Sequence, residues 1–437
     1  MAFLINIDHR FSINQNIQPD GCVILAGNIP MYQLERKKFS KFPLLTNRYF
    51  DPQLYLANLD PSQTPEYCSR LATYPWFGAS NFGKYDSKQH KQIDWMKQIK
   101  KDIAKLWRRN PIDPNVDPDL VAEVTRECID FQLRIGCKAI ILPSPLTYDP
   151  NTDYSTELFW LDSALTYINK RSDITVPVFA TIALTDNCLT YSNPEDNQLL
   201  EIILDTVGAR EIGGVYLIVE QRSETEFTKN ISNSRTLWSA LYLTHLFKKE
   251  VGIQVGVNYF GTFGLALEAV GADFWASGWY KSRYRFRLAD KIGEGRAMPS
   301  CWSNSLLIDI HLENEFDLLW RNGLILGRVE RTESAKSLLD GAGFGKSVNQ
   351  IPEWEHRMSN ITAAQEHFLQ SACNTEMEHQ KYSGKRRLDY VENEWLAPAF
   401  DDCQRVQSII GSSGKTQTKH VQAWLEAFRL FRRAHNL

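Results

Sequence analysis

The sequence predicts an α/β chain folded as a (β/α)8 TIM-type barrel with an appended C-terminal helical region. Two observations carry this. Apolar runs between residues 138 and 276 lack the polar alternation of a one-sided strand, and each is reached through a stretch with helical spacing. Such strands read as a parallel sheet covered on both faces, repeating here at roughly 35 residues.

The series opens at Asp117-Pro118, where Asp suits the cap and Pro the first turn of a helix. Val121, Val124, Cys128, Phe131 and Ile135 keep helical spacing, and Gly136 stops the helix before a buried strand at 138–142. The cycle repeats as helix 155–170 and strand 178–184, helix 197–207 and strand 214–219, helix 234–249 and strand 253–257, and helix 262–270 and strand 273–276. A doubly wound sheet is the competing architecture. The chain lacks that fold's Gly-rich first turn and is long enough for eight units, which favours the barrel.

Upstream, residues 22–26 and 53–57 read as strands, and 89–108 as a helix ending before Asn110-Pro111. Residues 305–310 are expected to close the barrel. The barrel domain then spans 1–315 and the helical region 316–437, whose last helix, 420–433, places Val421, Trp424, Leu425, Phe428 and Phe431 on one face.

Composition narrows the class. Of 437 residues, 43% are hydrophobic and 23% charged, enough for a large core. A net charge of −3 excludes an overall nucleic-acid-binding charge coat but permits a local basic patch. The N-terminus lacks the basic and apolar blocks of a secretory signal, and no apolar run reaches the roughly 18 residues of a membrane span. The eight Cys show no paired spacing, so they are expected as reduced buried thiols in a cytoplasmic protein with no membrane partner. No Cys or His pair has zinc-ligand spacing, and no metal or cofactor is expected. Two segments imitate phosphate loops. Residues 340–347 begin with Asp where Gly is required, and 411–416 have two spacer residues where four are needed, so both read as turns.

Chemistry in such a barrel gathers where the strands end. Asn28 follows the first strand; Ser144, Tyr148 and Asp149 follow the next, then Thr185 and Asp186, Glu220 and Arg222, Asn258 and Tyr259, and Ser277. Glu220 directly ends an apolar strand, where desolvation raises a carboxyl's pKa, so it is the leading acid/base candidate. An ion pair with Arg222 is its structural alternative. Residues 279–287 interleave Lys281, Arg283, Arg285 and Arg287 with Trp279, Tyr280, Tyr284 and Phe286. Cations that grip phosphate and rings that stack on bases suit single-stranded nucleic acid, and an extended strip would put the cations on one face. The same pattern also fits a loop whose rings pack on the barrel rim.

Gly256-Val257-Asn258, residues 265–274 (LALEAVGADF) and the Gly213-Gly214 to Glu220 stretch resemble the late barrel of the tRNA-guanine transglycosylases. That resemblance implies a barrel acting on nucleobases in DNA or RNA at its C-terminal strand ends. Glu220 and Asp186 then serve as catalytic groups, with Asn28, Asn258, Tyr259, Lys281, Arg283 and Arg285 binding substrate. The chain departs from the family where its nucleophilic Asp falls on Ala276, and in lacking its Asp-Ser-Gly-Gly loop and zinc-binding Cys set. A non-catalytic barrel serving as a subunit among other proteins is therefore the second expectation.

Overall fold

The computed structural model describes residues 2–7, 17–35, 46–77, 117–224, 229–291, 300–311, 315–322, 332–338, 358–411 and 414–437. Eight strands form one all-parallel sheet: β1 (Ala2–Ile7), β2 (Gly21–Leu25), β3 (Arg48–Asp51), β4 (Ile140–Ile141), β5 (Val178–Thr185), β6 (Gly214–Glu220), β7 (Gln254–Asn258) and β8 (Phe274–Ser277). Their order is β3-β2-β1-β8-β7-β6-β5-β4, so the first strand lies beside the last. The two edges meet: the Lys138 N–H, just ahead of β4, donates to the Arg48 carbonyl of β3 at 2.9 Å. This is the expected barrel, and its late strands pair in the expected sequence.

Local chemistry sets the outer helices. In α1 (Pro118–Arg134) the Asp117 carboxylate accepts the Asp119 N–H at 3.0 Å, while Gly136 ends the turn at φ 68°. Asn197 caps α2 (Gln198–Gly208) and Asn233 caps α3 (Ser234–Leu246) in the same way. Between β7 and β8, α4 (Gly264–Val270) lies against the sheet closely enough that a Cβ on Gly264 would come within 2.6 Å of the Trp275 ring.

The C-terminal helices complete the shell. They are α5 (Met358–His379), α6 (Gly384–Asp389), α7 (Ala397–Ile410) and α8 (Lys419–Ala434). The α5 helix packs on β1, where Phe3 and Trp275 rings lie 4.3 Å apart and the Trp275 indole N–H donates to Glu376 at 2.8 Å. The α8 helix lies along α3, with Trp424 against Phe263 at 5.4 Å and its indole N–H on the Ile231 carbonyl at 3.1 Å. Val421, Trp424, Leu425, Phe428 and Phe431 are all buried, as their spacing requires. One continuous apolar cluster includes the barrel and these helices.

Three expectations are corrected. Residues 53–57 are not a strand: Gln53 takes a left-handed φ of 54° and Leu54–Leu56 form a single tight turn, while the strand is the preceding Arg48–Asp51. Residues 305–310 do not close the barrel; Ile308–His311 pairs antiparallel with Ser300–Ser303 in a separate hairpin. Ala2–Ile7, passed over as an element, is the barrel strand beside β8. The helix expected at 89–108 and the turn at 340–347 lie outside the described residues. At the second imitation of a phosphate loop, the Glu315 carboxylate takes the Lys415 and Thr416 N–H groups, the latter at 2.8 Å, so the turn binds the protein's own anion. All eight cysteines are buried and unpaired. No helix among the described residues is long and apolar enough to cross a membrane.

Candidate functional site

The parallel strands all point their C-terminal ends to one mouth, and two buried polar clusters form there. The first joins the ends of neighbouring strands β5 and β6. Asp186, just past β5, is buried, and its Oδ2 accepts the Ser223 N–H at 2.8 Å together with the Ser223 hydroxyl. Glu220, the last residue of β6, is equally buried, and its Oε1 accepts the Leu288 N–H at 3.1 Å. Among the described residues, the second oxygen of each carboxylate, Oδ1 of Asp186 and Oε2 of Glu220, is buried without a hydrogen-bond partner. Burial pushes the Glu220 carboxyl above its ordinary range; the Leu288 N–H pulls it back, the neighbouring Asp186 charge raises it further, and Arg222 and Arg287 oppose. Arg222 thus acts on Glu220 as one of several surrounding charges. Ser223 also lines an open polar cleft of about 480 Å³ with Thr190, Ser232, Asn233, Ser234 and Arg235.

The second cluster fills the barrel axis. Asn258 of β7 and Asn6 of β1 exchange side-chain amide hydrogen bonds at 2.7 and 3.2 Å. The Asn258 amide also donates to the Tyr216 hydroxyl at 2.6 Å, and Tyr216 donates to Asp51 Oδ2 at 3.3 Å. Tyr55 donates to the same oxygen at 2.7 Å, and the Gln53 N–H to Oδ1 at 3.0 Å. Gln53 passes the network on by donating to the Tyr259 hydroxyl at 2.9 Å. Tyr259 itself sits at φ 68°, a left-handed backbone that costs a non-glycine residue energy and marks functional and clamp positions. Over this layer Phe286 packs on Tyr55 at 4.9 Å and Tyr259 at 5.8 Å, as residues 285–291 cross the mouth.

Burial raises Asp51 from an ordinary 3.8 to about 7, against the pull of Tyr55, Gln53, Tyr216 and the Lys291 charge. Burial likewise lowers Lys291 to about 8. The folded Asp51 carboxyl holds its proton more tightly than the unfolded chain does. Its contribution is therefore fully present below about pH 4 and is lost as pH rises toward 7, by at most about 4 kcal/mol. Asp51→Asn should flatten that fall, measured as urea midpoints at pH 4, 5.5 and 7. An unchanged slope would show that Asp51 does not hold the proton. Lys291 works in the opposite sense, its cost fading as pH rises from 8 towards 10.5.

The basic strip requires a correction. Lys281–Tyr284 is a short helix rather than an extended strand, so its cations do not alternate onto one face. Arg285 is fully buried in a two-point pair with Asp290, at 2.7 and 3.0 Å. Arg283 is buried too, with its guanidinium 4.3 Å from the centre of the Tyr280 ring and its carbonyl accepting from Asn6. Trp279, Tyr284 and Phe286 are buried on the rim. The side chain of Lys281 lies outside the described residues. Asn28 occupies the turn after β2, its N–H on the Leu25 carbonyl at 3.0 Å, outside both clusters.

Asp51, Gln53, Tyr216 and Lys291 escaped sequence reasoning. The signal for Asp51 was available: an acid closing the short Arg-Tyr-Phe run, the position that flags Glu220 on β6. Fold and site together define an eight-stranded parallel-barrel protein with paired buried carboxylates at its C-terminal mouth. Comparison with known protein families, curated proteins and solved structures finds no match to this chain.

Proposed function

We propose that this barrel is an enzyme of glycosyl-bond chemistry on nucleosides or nucleic acid, resembling the transglycosylases in its substrate class. Glu220 gives and takes the proton, and Asp186 stabilises positive charge developing on the sugar. The observation that carries the reading is the pairing itself: two buried carboxylates on adjacent strands, each tethered by one oxygen with the other unpartnered. Cleaving a glycosidic bond needs two such groups, one protonated and one charged, beside a sugar. The polar cleft reached through Ser223, lined by hydroxyls, an amide and the charged Glu224 and Arg235, suits a sugar's hydroxyls.

A second reading, a non-catalytic subunit of a protein assembly, draws support from the buried, internally paired Arg285 and from Ala276 where the transglycosylases it resembles carry their nucleophile. Incubating the protein with labelled free bases and with RNA or DNA oligonucleotides separates the two. Base release or base incorporation, followed by mass spectrometry, is expected. Absence of exchange, together with absence of binding to either nucleic acid at low salt, would overturn the enzymatic reading in favour of the subunit.

A further inference from the structure

On the opposite side of the molecule, three ligand-type side chains converge, and the Glu268 and Glu376 carboxyls approach closely enough for each to act on the other's proton. Glu268 belongs to α4, whose C-terminal end faces the N-terminal rim of β8. Glu376 and His379 stand three residues apart in the last turn of α5, a spacing that puts both on one helix face. All three are at least 98% buried, and their ligand atoms lie within 4.8 Å of one another. Among the described residues, both oxygens of Glu268 and both ring nitrogens of His379 have no hydrogen-bond partner. Glu376, by contrast, is firmly held, accepting from the Trp275 indole at 2.8 Å and from Gln380 at 2.7 Å.

We propose that Glu268, Glu376 and His379 bind a divalent transition-metal cation, with zinc the best fit, that fastens the C-terminal α5 helix to the barrel. His379 Nδ1 lies 3.5 Å from Glu268 Oε1, too long for a good hydrogen bond. Two ligands at zinc's usual bond lengths subtend a tetrahedral edge of about 3.4 Å, which this separation matches. An imidazole beside two carboxylates favours zinc, iron or manganese over calcium or magnesium, which prefer all-oxygen shells. A dication also balances the two carboxylates, whose isolated burial is otherwise costly, and leaves Arg387, 3.8 Å from Glu268, as an outer counter-charge. Trp275 and Gln380 orient the Glu376 ligand from behind. Sequence reasoning sought Cys and His pairs and so passed over the Glu-x-x-His spacing. The cluster flanks the N-terminal ends of the strands, where barrels place stability rather than chemistry.

The rival occupant is a single proton shared between Glu268 and Glu376. The full-length protein, stripped with chelator, should take up one Zn²⁺ per chain by elemental analysis and show a raised thermal midpoint. Co²⁺ in its place should give the visible d–d absorption of a low-symmetry site. Glu268→Gln, which keeps side-chain shape, and His379→Gln, which keeps a polar side chain of similar reach, should abolish both the stoichiometric uptake and the Co²⁺ spectrum. Glu220→Gln should change neither, so failure here and failure of the catalytic reading remain distinguishable. Should a ligand variant fail to fold, the wild-type Co²⁺ titration decides alone. Folded wild-type protein with no saturable uptake and no Co²⁺ spectrum overturns the metal site in favour of the shared proton.

Discussion

On the proposed glycosyl-bond chemistry, Glu220→Gln is expected to lower the rate of base exchange by about 10²–10⁴-fold, the usual worth of a positioned general acid/base. Gln fills the same volume and still offers an oxygen to the Leu288 N–H, so the mouth should keep its shape. It cannot donate a proton to a leaving group or take one back. The loss should therefore fall on kcat, with KM little changed. Stability gives an independent readout. Burial makes the folded Glu220 carboxyl bind its proton more tightly than the unfolded chain, so ionisation erodes stability as pH climbs above the ordinary carboxylate range. The variant lacks that erosion and should be at least as stable as wild type at pH 7. A carboxylate with a purely structural role predicts the reverse pairing: an unchanged rate and a less stable protein.

Asp290→Ala should destabilise the fold by about 3–5 kcal/mol, because it removes the carboxylate that pairs at two points with a fully buried guanidinium. Arg285 is fully enclosed, Asp290 nearly so, and their two-point geometry leaves little room for water to substitute. Arg287 also reaches Asp290 at 3.3 Å, so the loss touches two cations at once. Replacing both partners by apolar residues, as in Arg285→Met with Asp290→Leu, should recover part of the loss, since the fully buried guanidinium goes with its carboxylate while Arg287 still loses its contact with Asp290. Urea unfolding of the three proteins tests this. A single-variant loss below about 1 kcal/mol would show instead that the pair is exposed and screened.

The late strands were legible because a strand buried on both faces is an unbroken apolar run, and β5, β6 and β7 are such runs. The early barrel was not. The β3 strand has four residues, two of them only half-buried, whereas Leu54-Tyr55-Leu56 is wholly buried yet folds as a turn. Hydrophobicity reports burial, and here burial and extension part company at Gln53. Misplacing that strand hid Asp51 with it. Glu220 and Asp186 could be found because each sits at the end of a correctly read strand. Tyr216 could not, since it lies early in β6 and reaches the mouth network only by the length of its side chain. The strip at 279–287 was misread for a different reason: charge on a loop usually means solvent, and Asp290, which signals that Arg285 is paired and buried, lies just beyond the strip.

Pairing the first strand with the last has a consequence for synthesis on the ribosome. Phe3 sits opposite Trp275, so β1 keeps one hydrogen-bonding edge open until β8 has been made. At about 5–20 residues per second, that interval is roughly 15–55 seconds. Throughout it, an apolar six-residue strand presents unpaired amides and carbonyls to other nascent chains, a template for edge-to-edge association. Early protection of residues 2–7, by holdase binding or by docking onto β2, therefore limits the yield of folded protein, and pulse-labelled nascent chains should become protease-resistant only after Ser277 has cleared the exit tunnel.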